Sequence, residues 1–507
     1  MYLTSLLEVA WREYPEKVAV YGENMQLTYA ELYNQSDRMA NALQKLGVTR
    51  GDRVGIYLSS RPEFYICYWS IIRLGAVAVL LNPMYKEREI EHVLTDTGAK
   101  VCFTEESIVR RLQVVSKEIP EKLSIICLGN SADTLSFDSL LKDNDTRGII
   151  SEARLNDVVS IIYTSGTTGK PKGATHTHKS IWSNVSAFSI NNKFTSGDVL
   201  LCCLPIFNNF GLNVVSMATF YIGGNMVLFD RFDAKKILSA MGRYKVTYMA
   251  GTPTMYVYLL QEYDVGDYHV NTLRVCNSGG ANLPDEVIKK WEKRFKSPLI
   301  NGYGQTEASG FSTLTPVVGV RKNGAVGLPI SNIRVKIVNE AGEELSRGKV
   351  GEIALKGDPI SEVGYWNNEE ANKQAWQDGW FLSNDLGYID EDGYLFIVDR
   401  KNDLIITGGS NIYPAELEEV LYQHPKVSLA AVVGVPDEVK GELAKAFIVL
   451  KEGADCTESE LINYCRDKLA VYKAPRLVEF VNDMPRGVTG KILKRVLKEQ
   501  VAASKDN

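Results

Sequence analysis

A run of hydroxyl, glycine and lysine residues directly follows a short apolar stretch, and these residue types together can hold phosphate. Glycine lets the backbone bend so that its N–H groups converge on an anion, hydroxyls add donors, and lysine adds positive charge. The apolar residues before the run indicate a buried strand. We therefore expect a loop that binds polyphosphate; the alternative is a solvent-exposed flexible loop. Its candidate residues are Thr164, Ser165, Gly166, Thr167, Thr168, Gly169, Lys170 and Lys172.

This loop does not have the spacing of a P-loop. A P-loop has four residues between its first glycine and the Gly-Lys pair, and Ser or Thr follows the lysine. Here only Thr167 and Thr168 separate Gly166 from Gly169, and a proline follows the lysine. The sequence therefore predicts phosphate binding by a different kind of glycine-rich loop.

A second candidate stretch, residues 301–307, follows an apolar strand and places a tyrosine between two glycines. It does not fit the dinucleotide-binding fingerprint, because Glu307 occupies the place of the third glycine. Tyr303, between Gly302 and Gly304, offers a flat face suited to stacking a purine. Glu307 offers a hard carboxylate oxygen of the kind that Mg²⁺ prefers. Taken alone, the stretch is equally well explained as a simple turn.

Five residues in the later part of the chain extend this chemistry. Asp385 and Arg400 each end a short predicted strand, and an acid with an arginine can hold the two hydroxyls of a ribose. Singly, each is better explained by a turn or a surface ion pair. Gly408 and Gly409 would let a thin ligand pass close to the backbone. Lys491 follows a turn-rich segment and is predicted to begin a helix.

The elements that must position these residues alternate between helix and apolar strand from residue 28 to 101 and again from 198 to 301. This alternation predicts an α/β protein with two doubly wound, mostly parallel sheets in one large domain. Between residues 324 and 396, short strands and close turns indicate a small β-barrel or antiparallel sheet. A polar break at residues 400–403 precedes a small α+β unit. The predicted domains are residues 1–400 and 401–507.

Composition limits the class of protein further. The 507 residues carry a net charge of −5, which argues against a general nucleic-acid binder. The eight cysteines show no CxxC pair, as expected for reduced, buried thiols in a cytoplasmic protein. The N-terminus does not read as a signal peptide, and no apolar run is long enough to span a membrane. A peripheral membrane contact and a homodimer both stay open.

His176 and His178, one residue apart, raise the question of a metal site. The chain has only five histidines, and no cysteine or aspartate cluster lies near this pair in the sequence. The preferred interpretation is that the two histidines begin the helix after the phosphate loop.

In this order, the elements resemble the adenylate-forming superfamily of acyl-CoA synthetases, luciferases and nonribosomal peptide adenylation domains. The resemblance extends from Leu27 to Lys491 and is strongest with the fatty-acyl-CoA and aryl-CoA ligases. Further blocks that carry it are Gly327-Leu328-Pro329, Gly351-Glu352, Gly364-Tyr365-Trp366, Asp378-Gly379-Trp380 and residues 399–418.

The resemblance implies a reaction in two steps. ATP and a carboxylate give an acyl-adenylate and pyrophosphate, and the CoA thiol then displaces AMP. A carboxylate oxygen is a poor nucleophile toward an anionic phosphate, so such a site must neutralise charge and align the reacting groups. ATP, Mg²⁺ and CoA are the implied cofactors and co-substrates.

The resemblance also assigns roles to residues. The glycine-rich loop would wrap the β- and γ-phosphates, Asp385 and Arg400 would hold the ribose, and Glu307 would hold Mg²⁺. Thr306 would touch the α-phosphate, and Lys491 would bridge the carboxylate and the α-phosphate oxygens. The adenine would lie against Tyr303 together with Ser278, Gly279 and Gly280, and the pantetheine channel would be lined by Gly408 and Gly409.

Two departures from the family pattern stand out. The chain has Ser383-Asn384-Asp385 where the family often has Thr-Gly-Asp, yet the acid is kept. Asn208 stands where many CoA ligases have a histidine at the wall of the acyl site, which removes a titratable group beside the substrate carboxylate. The candidate acyl-site residues are Phe207, Asn208, Phe210, Met249 and Gly310.

The uncharged character of this wall favours a medium- or long-chain fatty acid, with an aryl acid as the alternative. Transfer to a carrier-protein phosphopantetheine competes with transfer to free CoA. A luminescent oxidase or a catalytically silent binding protein would share the fold.

Because Lys491 and the Gly408-Gly409 pair lie in the same small domain, that domain is expected to rotate between the two steps, with Asn402 as the hinge.

Overall fold

The computed structural model describes residues 2–120, 122–146, 148, 153–164, 171–408, 410–437, 439–487 and 489–505, with side chains to residue 501. No helix in these ranges combines the length and the apolar character that a membrane span requires.

The first part of the chain builds a mostly parallel sheet from all of its described strands except the first two, which join the larger sheet. Its elements are α1 (Thr4–Glu13), β1 (Val18–Tyr21), β2 (Gln26–Thr28), α2 (Tyr29–Lys45), β3 (Arg53–Tyr57), α3 (Pro62–Arg73), β4 (Val77–Leu80), α4 (Glu87–Thr97), β5 (Val101–Glu105), α5 (Val109–Val115), β6 (Ser124–Leu128), β7 (Leu135–Ser136), α6 (Phe137–Lys142), β8 (Val158–Thr164) and β9 (Lys172–Thr177). In the described residues the strand order is β7-β6-β5-β3-β4-β8-β9. Among the described strands of this sheet, only the β8–β9 pair is antiparallel.

Local chemistry explains several of these boundaries. The Thr28 side chain accepts from the backbone N–H of Glu31, and the Glu31 carboxylate accepts from the backbone N–H of Thr28, which forms a capping box at the start of α2. Gly98 ends α4 in the left-handed conformation, with φ of 58°. β4 is buried along its whole length, as expected for a strand covered on both faces.

The second part of the chain begins with a parallel region and ends in antiparallel strands. Its elements are α7 (His178–Asn191), β10 (Val199–Cys202), a π-helix (Phe210–Ser216), α8 (Met217–Ile222), β11 (Asn225–Leu228), α9 (Ala234–Arg243), β12 (Tyr248–Gly251), α10 (Pro253–Val265), β13 (Val275–Ser278), α11 (Asp285–Phe295), β14 (Leu299–Gln305), a 3₁₀ helix (Thr306–Ala308), β15 (Gly310–Leu314), β16 (Ala325–Pro329), β17 (Ile333–Val338), β18 (Gly351–Gly357), α12 (Glu369–Ala375), β19 (Trp376–Gln377), β20 (Trp380–Ile389) and β21 (Leu395–Arg400).

In the described residues these strands except β19, together with β1 and β2, form one path in the order β17-β18-β20-β21-β16-β15-β14-β13-β12-β10-β11-β1-β2, and β19 pairs with β20. The strands from β16 to β21 are the expected strand-rich segment. They extend the large sheet as antiparallel strands, so of the two forms predicted, the antiparallel sheet is the one found. α2 and α3 pack between the two sheets, within one large core cluster.

The last part of the chain has its own sheet and its own core. Its elements are β22 (Ile405–Thr407), β23 (Ser410–Ile412), α13 (Pro414–Tyr422), β24 (Val427–Asp437), β25 (Gly441–Leu450), α14 (Glu458–Lys468), β26 (Leu477–Phe480) and α15 (Lys494–Lys505). The described strands are ordered β23-β22-β25-β24, with β26 parallel to β25. The predicted α/β fold class with a small C-terminal α+β unit is confirmed. The division at residue 400 stays a prediction, although the large sheet ends there.

Candidate active site

A cavity of about 1300 Å³ lies where the carboxyl ends of the large-sheet strands face the C-terminal unit. This is where an open α/β sheet usually binds its ligand, because the loops that follow parallel strands meet at that edge. The structure brings together there seven residues that the sequence singled out: Gly280, Gly302, Tyr303, Gly304, Asp385, Arg400 and Lys491. His92 and Arg88 of α4, which sequence analysis missed, line the same cavity.

Asp385 and Arg400 are partners across the antiparallel strands β20 and β21. Arg400 Nε lies 3.3 Å from Asp385 Oδ1. The Tyr303 hydroxyl donates to Asp385 Oδ2 over 2.8 Å, and Gln305 Nε2 donates to the same oxygen over 2.5 Å. Asp385 is only 4% exposed, so three donors fix a buried carboxylate beside the cavity. Gln305 belongs to the stretch at residues 301–307, but its link to Asp385 was not expected.

Asn384 explains one departure from the family pattern. Its φ is +58°, in the left-handed region that glycine adopts freely and asparagine tolerates better than most residues. Its backbone N–H donates to Glu352 Oε1 over 2.9 Å, which holds the turn. The asparagine can therefore replace a glycine and still present Asp385 at the cavity.

Glu307 lies on the 3₁₀ helix that follows β14, just outside the cavity lining. The Tyr365 hydroxyl donates to Glu307 Oε1 over 2.7 Å, and Lys172 Nζ lies 5.3 Å from the centre of the Tyr365 ring. Burial raises the pKa of Glu307, and the hydrogen bond from Tyr365 acts in the opposite direction. Tyr365 belongs to a sequence block that carried the family resemblance, but sequence analysis gave it no role.

Thr306 is positioned by a histidine. His176 Nε2 donates to the Thr306 carbonyl oxygen over 2.8 Å. Burial lowers the pKa of His176 to about 4, so its ring is neutral near pH 7. His178, and not His176, begins α7, because His176 lies in β9. The preferred interpretation of the two histidines therefore holds for His178 alone.

Lys491 reaches the cavity from a short turn and not from a helix, so the prediction that it begins a helix was wrong. An antiparallel bridge between Arg486 and Ile492 closes this turn, and α15 begins only at Lys494. Gly490 has φ of +77°, and a Cβ there would lie 3.1 Å from Thr252 Oγ1. The turn thus rests on the start of α10.

Lys491 is partly buried, and charged groups of both signs act on its ammonium. Burial and the positive charge of Arg400 lower the pKa of Lys491 to about 8, while Asp385 and Asp403 act against that shift. Lys491 therefore keeps most of its charge at pH 7, within the field of the same carboxylate that Arg400 contacts. Lys494, three residues on, is ion-paired with Glu418 at 2.7 Å.

The candidate acyl wall is aromatic. Phe210, on the π-helix, packs edge-on against Phe311 with ring centres 5.4 Å apart. A Cβ on Gly302 would lie 2.6 Å from Phe311 Cε1, and one on Gly279 would lie 2.9 Å from the same atom. The two glycines therefore leave room for the Phe311 ring. Phe311 was missed by sequence analysis, although it directly follows Gly310.

The other predicted acyl-site residues have less uniform surroundings. Phe207 is buried, and Asn208 is partly exposed just before the π-helix. Gly310 lies against Asn184, whose Oδ1 would be 2.2 Å from a Cβ at that position. Met249 is fully buried in β12, with its methyl group near Gly251.

The remaining predicted residues are distributed as follows. Thr164 and Lys172 are paired across β8 and β9, at the two ends of the glycine-rich loop. Ser278 is fully buried at the end of β13. Gly408 lies on an exposed turn with φ of +55°, away from the cavity lining, and Asn402 lies on an exposed turn between β21 and β22. Ser165, Gly166, Thr167, Thr168, Gly169, Lys170 and Gly409 lie outside the described residues.

Comparison with known proteins identifies the family. Residues 7–366 match the family described as AMP-binding enzyme, and residues 416–491 match the AMP-binding enzyme C-terminal domain. A long-chain-fatty-acid–CoA ligase of Bacillus subtilis is 34% identical over 98% of this chain and 94% of its own. A feruloyl-CoA synthase of Amycolatopsis is also 34% identical, over 95% of each chain.

Solved structures show the same likeness. The anthranilate CoA ligase AuaEII with anthranoyl-AMP has a TM-score of 0.94 at 29% identity, covering 99% of this chain and 98% of its own. ATP-bound MatB from Rhodopseudomonas palustris has a TM-score of 0.90 at 32% identity, covering 99% of both chains.

The fold and the site therefore define a class: the chain belongs to the AMP-binding enzyme family. Within that family it is an AMP-forming acid–CoA ligase. Use of ATP and CoA is typical of the family.

Proposed function

We propose that the cavity holds ATP and a carboxylic acid together and that the acyl-adenylate forms beside Lys491. The observation that carries this proposal is the convergence of Lys491, the Asp385–Arg400 pair and Tyr303 on one cavity. These groups come from three separate parts of the chain. Asp385 and Arg400 would hold the ribose, the Tyr303 ring would face the adenine, and the Lys491 ammonium would bridge the carboxylate and the α-phosphate.

In the first step a carboxylate oxygen attacks the α-phosphorus, and the bond to pyrophosphate breaks. In the second step the CoA sulfur attacks the acyl carbon, AMP leaves with the bonding electrons, and the thiol proton passes to solvent. Lys491 would act in the first step by offsetting the negative charge that develops between two anions.

Glu307 fits Mg²⁺, because Mg²⁺ in nucleotide sites is usually held by one or two carboxylates together with the phosphates. The hydroxyl of Tyr365 fixes the orientation of this carboxylate. Bound there, Mg²⁺ would neutralise part of the phosphate charge. Thr164, Lys172 and the loop between them would supply the remaining phosphate contacts.

The acid is proposed to be a medium- or long-chain fatty acid, because the proposed acyl wall of Phe207, Phe210 and Phe311 would offer uncharged surface. A second candidate is an aryl acid. The edge-to-face pair of Phe210 and Phe311 favours it, because a flat substrate ring could pack against the outer side of either ring.

We also propose that the unit from residue 401 to 507 rotates between the two steps. Lys491 lines the cavity while Gly408 lies on an exposed turn elsewhere, so the two cannot face the same reacting atoms in this arrangement. Asn402 on its exposed turn would be the pivot.

The eight cysteines are all free and buried, which supports a reducing, cytoplasmic setting.

The test is a panel of fatty and aryl acids assayed with ATP and Mg²⁺, with pyrophosphate release and thioester formation measured separately for CoA and for a phosphopantetheine carrier protein. Fatty acids with free CoA should give the highest kcat/KM. A higher value with aryl acids would select the second candidate. Thioester formation on the carrier protein alone would replace CoA as the acceptor.

A further inference from the structure

A histidine, a cysteine and a glutamate meet in the C-terminal unit, away from the cavity described above. His424 follows α13, Cys456 lies just before α14, and Glu460 lies in the first turn of α14. One ligand atom from each of the three lies within 4.8 Å of the other two. His424 and Cys456 are buried, and the Glu460 side chain is 38% exposed. None of the three lines the ATP cavity.

We propose that these three side chains bind a divalent transition-metal ion, with Zn²⁺ as the favoured ion. Nitrogen, sulfur and carboxylate oxygen are its three protein ligand types, with bonds of about 2.0–2.3 Å. At tetrahedral angles such bonds place ligand atoms about 3.3–3.6 Å apart. His424 Nε2 and Glu460 Oε1 lie 3.5 Å apart, at the separation that a shared ion requires.

Local structure holds the cluster in place. Thr457 caps α14 by accepting from the backbone N–H of Glu460 over 3.2 Å, which fixes the start of the helix and so the spacing of Cys456 and Glu460. The Tyr464 ring packs edge-on against the His424 ring, with centres 4.7 Å apart. The His424 imidazole therefore lies between the Tyr464 ring and the Glu460 carboxylate.

Two changes accompany binding. The Cys456 thiol loses its proton to solvent, and the thiolate bonds to the metal. His424 binds through Nε2 with its proton on Nδ1, so the weak 3.4 Å contact from the backbone N–H of Lys426 to Nδ1 is given up. The fourth position, with only three protein ligands, is left for water.

Lys426 competes with the ion. Its Nζ lies 2.8 Å from Glu460 Oε1 and 3.1 Å from Oε2, and its side chain is 38% exposed. The ammonium can move into solvent when a metal arrives, but its charge opposes binding. This gives a variant that should strengthen binding: Lys426→Met removes the competitor and leaves the three ligands.

The experiment uses the full chain in a non-chelating reductant and Co²⁺ as the probe, because Co²⁺ bound to a thiolate shows a charge-transfer band and tetrahedral d–d bands. One equivalent of Co²⁺ should give both, and Zn²⁺ should remove them. Cys456→Ser should abolish the charge-transfer band, and His424→Ala and Glu460→Gln should weaken binding at least 10-fold, in line with loss of one ligand (about 10-fold or more). Lys426→Met should tighten it.

Matched controls are Glu458→Gln, an exposed acid on the same helix turn, and Cys465→Ala, a buried cysteine on α14 outside the cluster. Both should bind Co²⁺ as the parent chain does, and adenylation should be unchanged in every variant. Glu460→Gln keeps the test decisive if the buried Cys456 variant does not fold. Absence of a stoichiometric Co²⁺ spectrum in the parent chain, or a charge-transfer band that persists in Cys456→Ser, would overturn the site and leave the Lys426–Glu460 ion pair as the explanation of the cluster.

Discussion

The hydroxyl of Tyr365 donates to Oε1 of Glu307 across 58 residues of sequence, and this bond acts against the rise in the pKa of Glu307 that burial causes. The carboxylate proposed to hold Mg²⁺ therefore depends for its charge on a residue from a separate loop. The ammonium of Lys172 lies over the face of the same tyrosine ring, so Tyr365 connects the end of the glycine-rich loop to the proposed metal ligand.

The first prediction is that Tyr365→Phe weakens Mg²⁺ use. Without the donor, the pKa of Glu307 rises, so its charged form is lost at a higher pH as the pH falls. The acid limb of pyrophosphate exchange should move to higher pH, and the Mg²⁺ needed for half activity should rise about 10-fold, since a hydrogen bond to a charged group contributes about 1.5–3 kcal/mol. The measurements are Mg²⁺ titrations at several pH values.

Two further variants test this prediction, one with a larger expected effect and one as a control. Glu307→Gln should raise the Mg²⁺ requirement further while the fold persists, because it removes the charge itself. Tyr388→Phe, whose ring stacks on Phe396 outside the cavity lining, should leave the titration unchanged. Unaltered Mg²⁺ titrations in both Tyr365→Phe and Glu307→Gln would reduce Glu307 to a structural residue.

The second prediction concerns the two half-reactions. Lys491→Ala should lower adenylation by about 10²–10³-fold, the loss of about 3–4 kcal/mol that one positioned charge can supply in a transition state. Thioester formation from supplied acyl-adenylate and CoA should survive. Acid-dependent ATP–pyrophosphate exchange and thioester formation are measured side by side, and near-normal exchange would mean that Lys491 is not the catalytic lysine.

The third prediction is a pH profile. Because burial and Arg400 lower the pKa of Lys491 to about 8, its ammonium form is present below that pH and is lost above it. kcat/KM for adenylation, which reports the free enzyme, should fall as the pH rises through about 8. Lys491→Arg, which stays charged, should lose this alkaline limb even if its rate is lower. A limb that persists in the arginine variant would belong to another group.

These sites differ in how far the sequence could predict them. Arg400 ends β21 as expected, but Asp385 lies inside β20, which continues to Ile389, so the sequence indicated the chemistry of both residues and misplaced the end of one strand. Their cross-strand pairing depends on a register that shifts between Leu386 and Gly387, which no local pattern gives. The helix expected at Lys491 was wrong because local backbone pairing between Arg486 and Ile492 closes a turn there, and helical spacing does not reveal that pairing.

The alternation of helix and strand predicted the two parallel regions because most strands there are short apolar runs and turn residues mark many of the joints. Tyr365 and Phe311 were missed for the opposite reason. Each acts through a neighbour brought near only by folding, and neither stands at a spacing that indicates chemistry. The residue type alone, an aromatic beside a glycine, was their only signal.

The fourth prediction tests the acyl wall. Phe311→Ala removes the ring that fills the space beside Gly279 and Gly302, so longer or bulkier acids should gain in kcat/KM relative to short ones, while KM for ATP stays nearly constant. Asn208→His should also change the relative kcat/KM among acids. Phe396→Ala, a change of the same size at a ring that stacks on Tyr388, serves as control. Equal changes for every acid would place Phe311 and Asn208 outside the pocket.

The last prediction tests rotation about Asn402. This residue lies on an exposed turn between Arg400, which ends β21, and Ile405, which begins β22. Proline there would fix φ near about −65° and restrict Lys401 before it. Because the present arrangement already places Lys491 at the cavity, Asn402→Pro should keep most acid-dependent pyrophosphate exchange and lose most thioester formation. Asn402→Ala, which leaves φ free, should keep both. Parallel loss of both half-reactions in a folded Asn402→Pro enzyme would move the hinge elsewhere or remove rotation from the mechanism.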